Sequence, residues 1–195
     1  MTPAELAEQF ELLVDRLGGQ LSDALVAAYE HWQSGTLTTA EFEDVFVHLV
    51  GTANAYARGG ADWLGSAYLA EGAPVTPNGS TPVTVAAETA RLAESAATVA
   101  KLLDSADDLR AQLDRIGRNE PTDAAQQQLV HTYRGHGAVG YRRRLNAGAC
   151  ELCVWLQKKH LDPEGIGYIY PSDKPMHRHT GCRCTPVPAT RKAAA

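Results

Sequence analysis

The chain has 195 residues, 44 % of them hydrophobic, and a formal net charge of −5. That length suits one ordinary domain, or a helical part with a small appendage. No apolar run approaches the roughly 18 residues needed to cross a bilayer, so no membrane-spanning helix and no membrane partner are expected.

The charge is unevenly placed: residues 1–130 carry a balance of −12 and residues 131–195 one of +7. An acidic body with a basic end is either a bipolar surface with no partner implied, or one whose basic end meets DNA, RNA or an acidic protein face.

The first helix is expected over residues 2–34. Thr2 is a candidate N-cap, Pro3 the first helical position, and Glu5 follows three residues after the cap. Phe10, Leu13, Val14, Leu17, Leu21, Leu25, Ala28, Tyr29 and Trp32 recur at three- and four-residue spacing and form an apolar stripe. Gly18-Gly19 is expected to kink or split it. The opening stretch also lacks the basic region and apolar core of a signal peptide, so folding in cytosol is the expectation. In that reducing compartment, paired cysteines are more often metal ligands or redox centres than disulfides.

Thr38 and Glu41 form a capping box for a second helix, expected to run to Arg58-Gly59-Gly60, with a shorter apolar stretch from Trp63 to Leu69 after it. Residues 71–84 hold three prolines, two glycines and Asn78, and read as a loop. From Val85 to Ile116 a helical period returns, as one long helix or two in succession. Its many alanines favour close packing, on itself or on further copies of the chain as a homo-oligomer. "GRNEPTD" (117–123) marks a boundary, with a further helix from Thr122 or Asp123 to about Tyr133. The expected division is a helical body at 1–120 and, at 121–195, a helix plus a small Cys/His unit. "GYIYP" (167–171) suits a short strand and "CTPVPA" (184–189) an extended tail. The expected fold is therefore mainly α, a helical bundle or long helices with a small α+β, knuckle-like C-terminal unit.

All four cysteines fall in that unit, spaced Cys150-x2-Cys153-x25-His179-x2-Cys182-x1-Cys184. A C-x2-C turn sets two thiolates on one side of a tight knuckle, about 2.3 Å from a shared zinc, and H-x2-C closes the tetrahedron. The expected ligands are Cys150, Cys153, His179 and Cys182, with Cys184 as alternate to Cys182 and His177 as alternate to His179. Four protein ligands leave no open position for water, so the one zinc per chain would be structural. It would hold a segment poor in apolar residues, with Trp155 and Leu156 packed beneath the knuckle. The competing readings are two disulfides in one of three connectivities, unmetallated thiols, and redox chemistry at the C-x-x-C. Redox work usually has that motif opening a helix within a βαβ unit, and no such unit is read here.

Arg142, Arg143 and Arg144 lie beside the knuckle and suit phosphate or partner contacts; solvated charge is the plain alternative. No G-x-S-x-G, Walker loop or H-E-x-x-H is present, and no catalytic constellation emerges.

"GYRRRLNAGACELCVWLQKKH", followed by "YPSDKPMHRHTGCRCTPVP", resembles the C-terminal signature of the phage Mu protein F-like (MuF) head morphogenesis family, in particular minor capsid proteins of tailed phages of actinobacteria. Arg142 and Arg143 match its basic stretch, Cys150 and Cys153 its C-x-x-C, and His179, Cys182, Cys184 and Thr185 its ending. The likeness covers about residues 140–188. One departure is that Pro-x-His and His-x-x-Cys, usually met by a single histidine, separate here onto His177 and His179. The resemblance implies a virion assembly protein that meets the portal, the major capsid or a scaffold protein, with packaged double-stranded DNA as a further candidate partner. It would act in the host cytoplasm during assembly and then in the capsid interior or at the portal vertex. Such members are often labelled capsid maturation proteases, a label for which these residues supply no catalytic set. The other readings are a zinc-supported nuclease with His177 beside the metal, and a DNA-binding module.

Overall fold

A computed structural model of the chain describes residues 3–70, 84–102, 109–158 and 169–189. It is mainly helical, with a small antiparallel sheet near the C-terminus. The elements are α1 (Pro3–Gln33), α2 (Thr39–Leu69), α3 (Val85–Leu102), α4 (Leu109–Gly135), β1 (Gly140–Arg144), α5 (Glu151–Lys158), β2 (Tyr170–Pro171) and β3 (Thr185–Ala189). No described helix is long and apolar enough to cross a membrane.

The chain divides into two compact units. One draws on Leu13–Ala57 and Val83–Ala124, the other on Met1–Leu12, Arg58–Pro82 and Ala125–Ala195.

The first unit is helical. Leu21 and Leu25 of α1, Phe42, Phe46 and Val50 of α2, Leu92, Ala96 and Val99 of α3, and Leu109 and Leu113 of α4 form one buried cluster. Their three- and four-residue spacing puts each set on one face of its helix, and each large side chain removed from water stabilises by roughly 1.5–3 kcal/mol. The capping box forms as expected: the Thr38 N–H donates to Glu41 Oε2 at 2.8 Å, and the Glu41 N–H to Thr38 Oγ1 at 3.3 Å. α1 and α4 approach closely at Gly117, where a Cβ would fall 2.5 Å from Ser22 Cα. There Ser22 Oγ donates to Asp114 Oδ1 at 2.6 Å.

Three expected breaks are absent. α1 runs through Gly18-Gly19, α2 runs through Gly59-Gly60 to Leu69, and α4 runs through the stretch 117–123 with Pro121 inside it. A glycine costs a helix only about 1 kcal/mol against alanine, and apolar neighbours on either side outweigh that. Proline costs more, about 3 kcal/mol, because it lacks an N–H and crowds the carbonyl four residues back. In α4 that carbonyl belongs to Gly117, whose place against Ser22 is set by packing rather than propensity. Leu13, expected in the stripe, is 44 % exposed. The expected cap Thr2, nearly all of the 71–84 loop, and Gly167 and Tyr168 of the expected strand lie outside the described residues.

In the second unit the sheet has the order β2-β1-β3, both pairs antiparallel. Gly140 is required at the start of β1, because a Cβ there would meet the Tyr170 carbonyl oxygen at 2.2 Å. Tyr141 stacks on Tyr170 with ring centroids 5.4 Å apart. β3 was expected as an extended tail limited by its prolines, and is instead a paired strand. Pro186 and Pro188 lie opposite Arg143 and Tyr141. Having the same parity, both point their missing N–H away from β1. The sheet is tied to its surroundings by named bonds. Tyr133 Oη of α4 donates to the Pro186 carbonyl at 2.9 Å. Thr185 Oγ1 and Arg144 Nη1 donate to Glu11 Oε1 of α1 at 2.9 and 3.0 Å. Within the same unit Thr132 Oγ1 donates to the buried Asp62 Oδ1 at 2.5 Å.

Candidate metal centre

Two turns of the same kind present the donors. In 146–149 the Ala149 N–H donates to the Asn146 carbonyl at 3.1 Å, with Gly148 third in the turn at φ 79°. In 179–182 the Cys182 N–H donates to the His179 carbonyl at 3.0 Å, with Gly181 third at φ 78°. A positive φ at the third position alone defines a type II turn, and glycine is the residue that adopts it without strain. The first turn delivers the chain to Cys150 at the head of α5; the second sets His179 and Cys182 on one side.

Five donors fall into two overlapping groups of three. Cys150, Cys153 and His179 have ligand atoms within 4.8 Å of one another, and so do Cys153, Cys182 and Cys184. Cys153 is common to both groups. His179 Nε2 lies 3.1 Å from Cys150 Sγ and 3.2 Å from Cys153 Sγ, while Cys153 Sγ lies 3.7 Å from Cys182 Sγ. A tetrahedral zinc bonded at about 2.3 Å to sulfur and about 2.0–2.1 Å to nitrogen sets S···S near ~3.8 Å and S···N near ~3.5 Å. The cluster is therefore one that can bind a metal ion such as zinc. All four cysteines are free thiols.

The tautomer of His179 follows from its neighbour. Nδ1 lies 2.8 Å from the Thr180 carbonyl oxygen, which can only accept. Nδ1 therefore carries the proton and Nε2 presents a lone pair to the thiols, as metal-binding histidines do. His177 stands apart: its ring is exposed and belongs to neither group among the described residues. Its backbone carbonyl accepts from Arg143 Nη2.

Electrostatics differ across the cluster. The Cys184 thiol and the Arg143 guanidinium hold the Cys182 thiol down, to about 4. Cys184 is pushed up in turn by Cys182 and by burial. Burial pushes Cys153 up to about 11. Cys150 is exposed and lowered, first by the Cys153 N–H at the start of α5.

Two expectations need correction. The arginine run does not form one exposed phosphate-contacting surface. As a strand, residues 140–144 alternate sides, so Arg143 points inward and is 2 % exposed, with Nη1 3.3 Å from Cys182 Sγ and 3.6 Å from Cys153 Sγ. Arg144 pairs with Glu11, and Arg142 is half-buried. Second, of the two residues expected beneath the knuckle only Leu156 is buried; Trp155, one position earlier on the short helix, is 55 % exposed. The C-x-x-C opens a helix, α5, and the strand before it belongs to an antiparallel sheet rather than a βαβ unit.

Gln126 escaped the sequence reading. It is buried on α4, and its Nε2 donates to the carbonyls of Cys182 and Cys184 at 3.1 and 2.8 Å, fixing the C-x-C stretch. Asn146 likewise accepts from the Cys184 thiol at 3.8 Å. Neither residue carries a sequence signal, because each acts through a contact distant along the chain. No family model matches the chain, and neither the curated proteins nor the solved structures contain a match to it.

Proposed function

We propose that this chain is a MuF-like minor head protein of a tailed phage, whose C-terminal unit is held by one structural zinc on Cys150, Cys153, His179 and Cys182. The observation that carries the zinc reading is the placement of His179 Nε2 beside two thiols, with its other nitrogen committed to a carbonyl. Cys182 is favoured over Cys184 because its sulfur stands a tetrahedral edge from Cys153 and already accepts from a cation, whereas Cys184 donates to Asn146. When bound, the metal supplies folding free energy and no reaction, since four protein donors leave no position for water.

The assembly role rests on the signature over residues 140–188 together with the helical body ahead of it. The acidic helices face the portal, the major capsid or a scaffold protein, and the basic end faces capsid or packaged DNA. The site is then the virion, at the portal vertex or inside the capsid. Two experiments test this. Elemental analysis of chain purified without added metal should give about one zinc per chain, lost with the C-terminal fold on chelation. Co-expression with the portal and capsid proteins of the same phage should give co-purification; a chain that ignores both during assembly removes the head-protein reading.

A redox reading has one observation in its favour: an exposed, lowered Cys150 ahead of a buried Cys153 at a helix start. A metal-free chain in which these two thiols cycle reversibly to a disulfide would establish it in place of zinc.

A further inference from the structure

Arg143 is a permanently charged side chain, 2 % exposed, on the central strand of the sheet. Burying a charge without an opposite one costs several kcal/mol in a protein interior. Among the described residues, no carboxylate is among its partners. Nη1 donates to Cys182 Sγ and Cys153 Sγ at 3.3 and 3.6 Å, and Nη2 to the His177 carbonyl. The opposite charge available to it is sulfur's.

We infer that Arg143 is the buried counter-ion of an anionic metal–thiolate centre, a positioning residue that sets how tightly the centre holds its metal. The inference rests on the zinc reading above. Three thiolates and one neutral imidazole on a divalent cation leave a net charge of −1, which one guanidinium cancels. A centre with two thiolates and two histidines would be neutral and would leave Arg143 without a net opposite charge among the described residues. The charge of Arg143 thus selects the three-sulfur set over any set with both His177 and His179. The same guanidinium reaches two sulfurs and the His177 carbonyl, so it also links α5 and the 177–182 stretch to β1.

The test compares wild type with Arg143→Met, Arg143→Gln and Arg143→Lys, using the full chain. Zn²⁺ affinity is read by competition with a chromophoric chelator, and Co²⁺ is substituted to record the thiolate-to-metal charge-transfer band. Outer contacts to metal ligands are worth about 10–100-fold in affinity, so the Met and Gln variants should bind that much more weakly. Losing N–H donors raises electron density on sulfur, so their Co²⁺ band should move to longer wavelength. Arg143→Lys, which keeps the charge, should recover part of both. A wild type that binds while Arg143→Met or Arg143→Gln binds equally tightly, with an unmoved band, overturns this inference alone. A Lys variant no better than Gln overturns the charge role. A wild type that takes neither metal overturns the zinc reading with it. Where Met fails to fold, the Gln and Lys pair decides.

Discussion

Cys153→Ser is the most informative change to the cluster. Its sulfur is 2 % exposed and is the one donor shared by both groups, 3.2 Å from His179 Nε2 and 3.7 Å from Cys182 Sγ. A structural zinc contributes about 10–16 kcal/mol through four ligands, so one ligand carries roughly 3–4 kcal/mol. That corresponds to a loss of about 10²–10³-fold in affinity. Serine keeps the shape, so the metal-free fold should change little. Chelator competition should therefore show the full loss, while thermal midpoints of wild type and variant should differ in zinc and converge in EDTA. Cys184→Ser is the control: it keeps a donor towards Asn146 and alters only a sulfur beside Cys182 that lies outside the proposed ligand set, so it should cost no more than about ten-fold, the low end for outer contacts. Wild-type affinity in Cys153→Ser, or an equal loss in Cys184→Ser, would refute the assignment of ligands.

Other outcomes follow from single contacts. Tyr133→Phe leaves the buried Pro186 carbonyl without its donor and should destabilise by about 1–3 kcal/mol, measured by urea denaturation. Gly117→Ala places a methyl 2.5 Å from Ser22 Cα, which is backbone and cannot turn aside. An overpacking cost of about 1–3 kcal/mol, less about 1 kcal/mol gained in helix propensity, should lower the thermal midpoint by a few degrees. A midpoint above that of wild type, the propensity gain without the clash, would mean that α1 and α4 do not meet there. Glu41 has its carboxyl held below the ordinary value by the Thr38 N–H. Its contribution is therefore present above the unfolded carboxylate value and lost as pH falls through the folded one. The stability gap between wild type and Glu41→Gln should be open at neutral pH and close on acidification.

The helical character, the capping box and the convergence of C-x2-C with H-x2-C were legible because each is written in residues close along the chain. Thr38 finds Glu41 within one turn, and the two cysteine turns each carry their own glycine. What was not legible depends on distant neighbours. Pro121 reads as a helix start until Gly117 is seen packed on Ser22 from another helix. Three arginines in a row read as a surface, because their hydrophilic character conceals the alternation of a strand. The meaning of Arg143 appears only when thiols 10 and 39 residues further along face it. Gln126 reads as one of three consecutive glutamines and becomes distinct only through Cys182 and Cys184, 56 and 58 residues away.

The prolines of β3 have a consequence for how this unit can meet other chains. With Pro186 and Pro188 both facing away from β1, that margin of the sheet lacks the donors a further strand would need, and the Pro186 carbonyl is already taken by Tyr133 Oη. The opposite margin, β2, is two residues long and ends in Pro171. Neither side gives an incoming peptide a ladder to extend. Such a sheet resists zipping onto another of its own kind, and recognition falls to side chains rather than to backbone pairing.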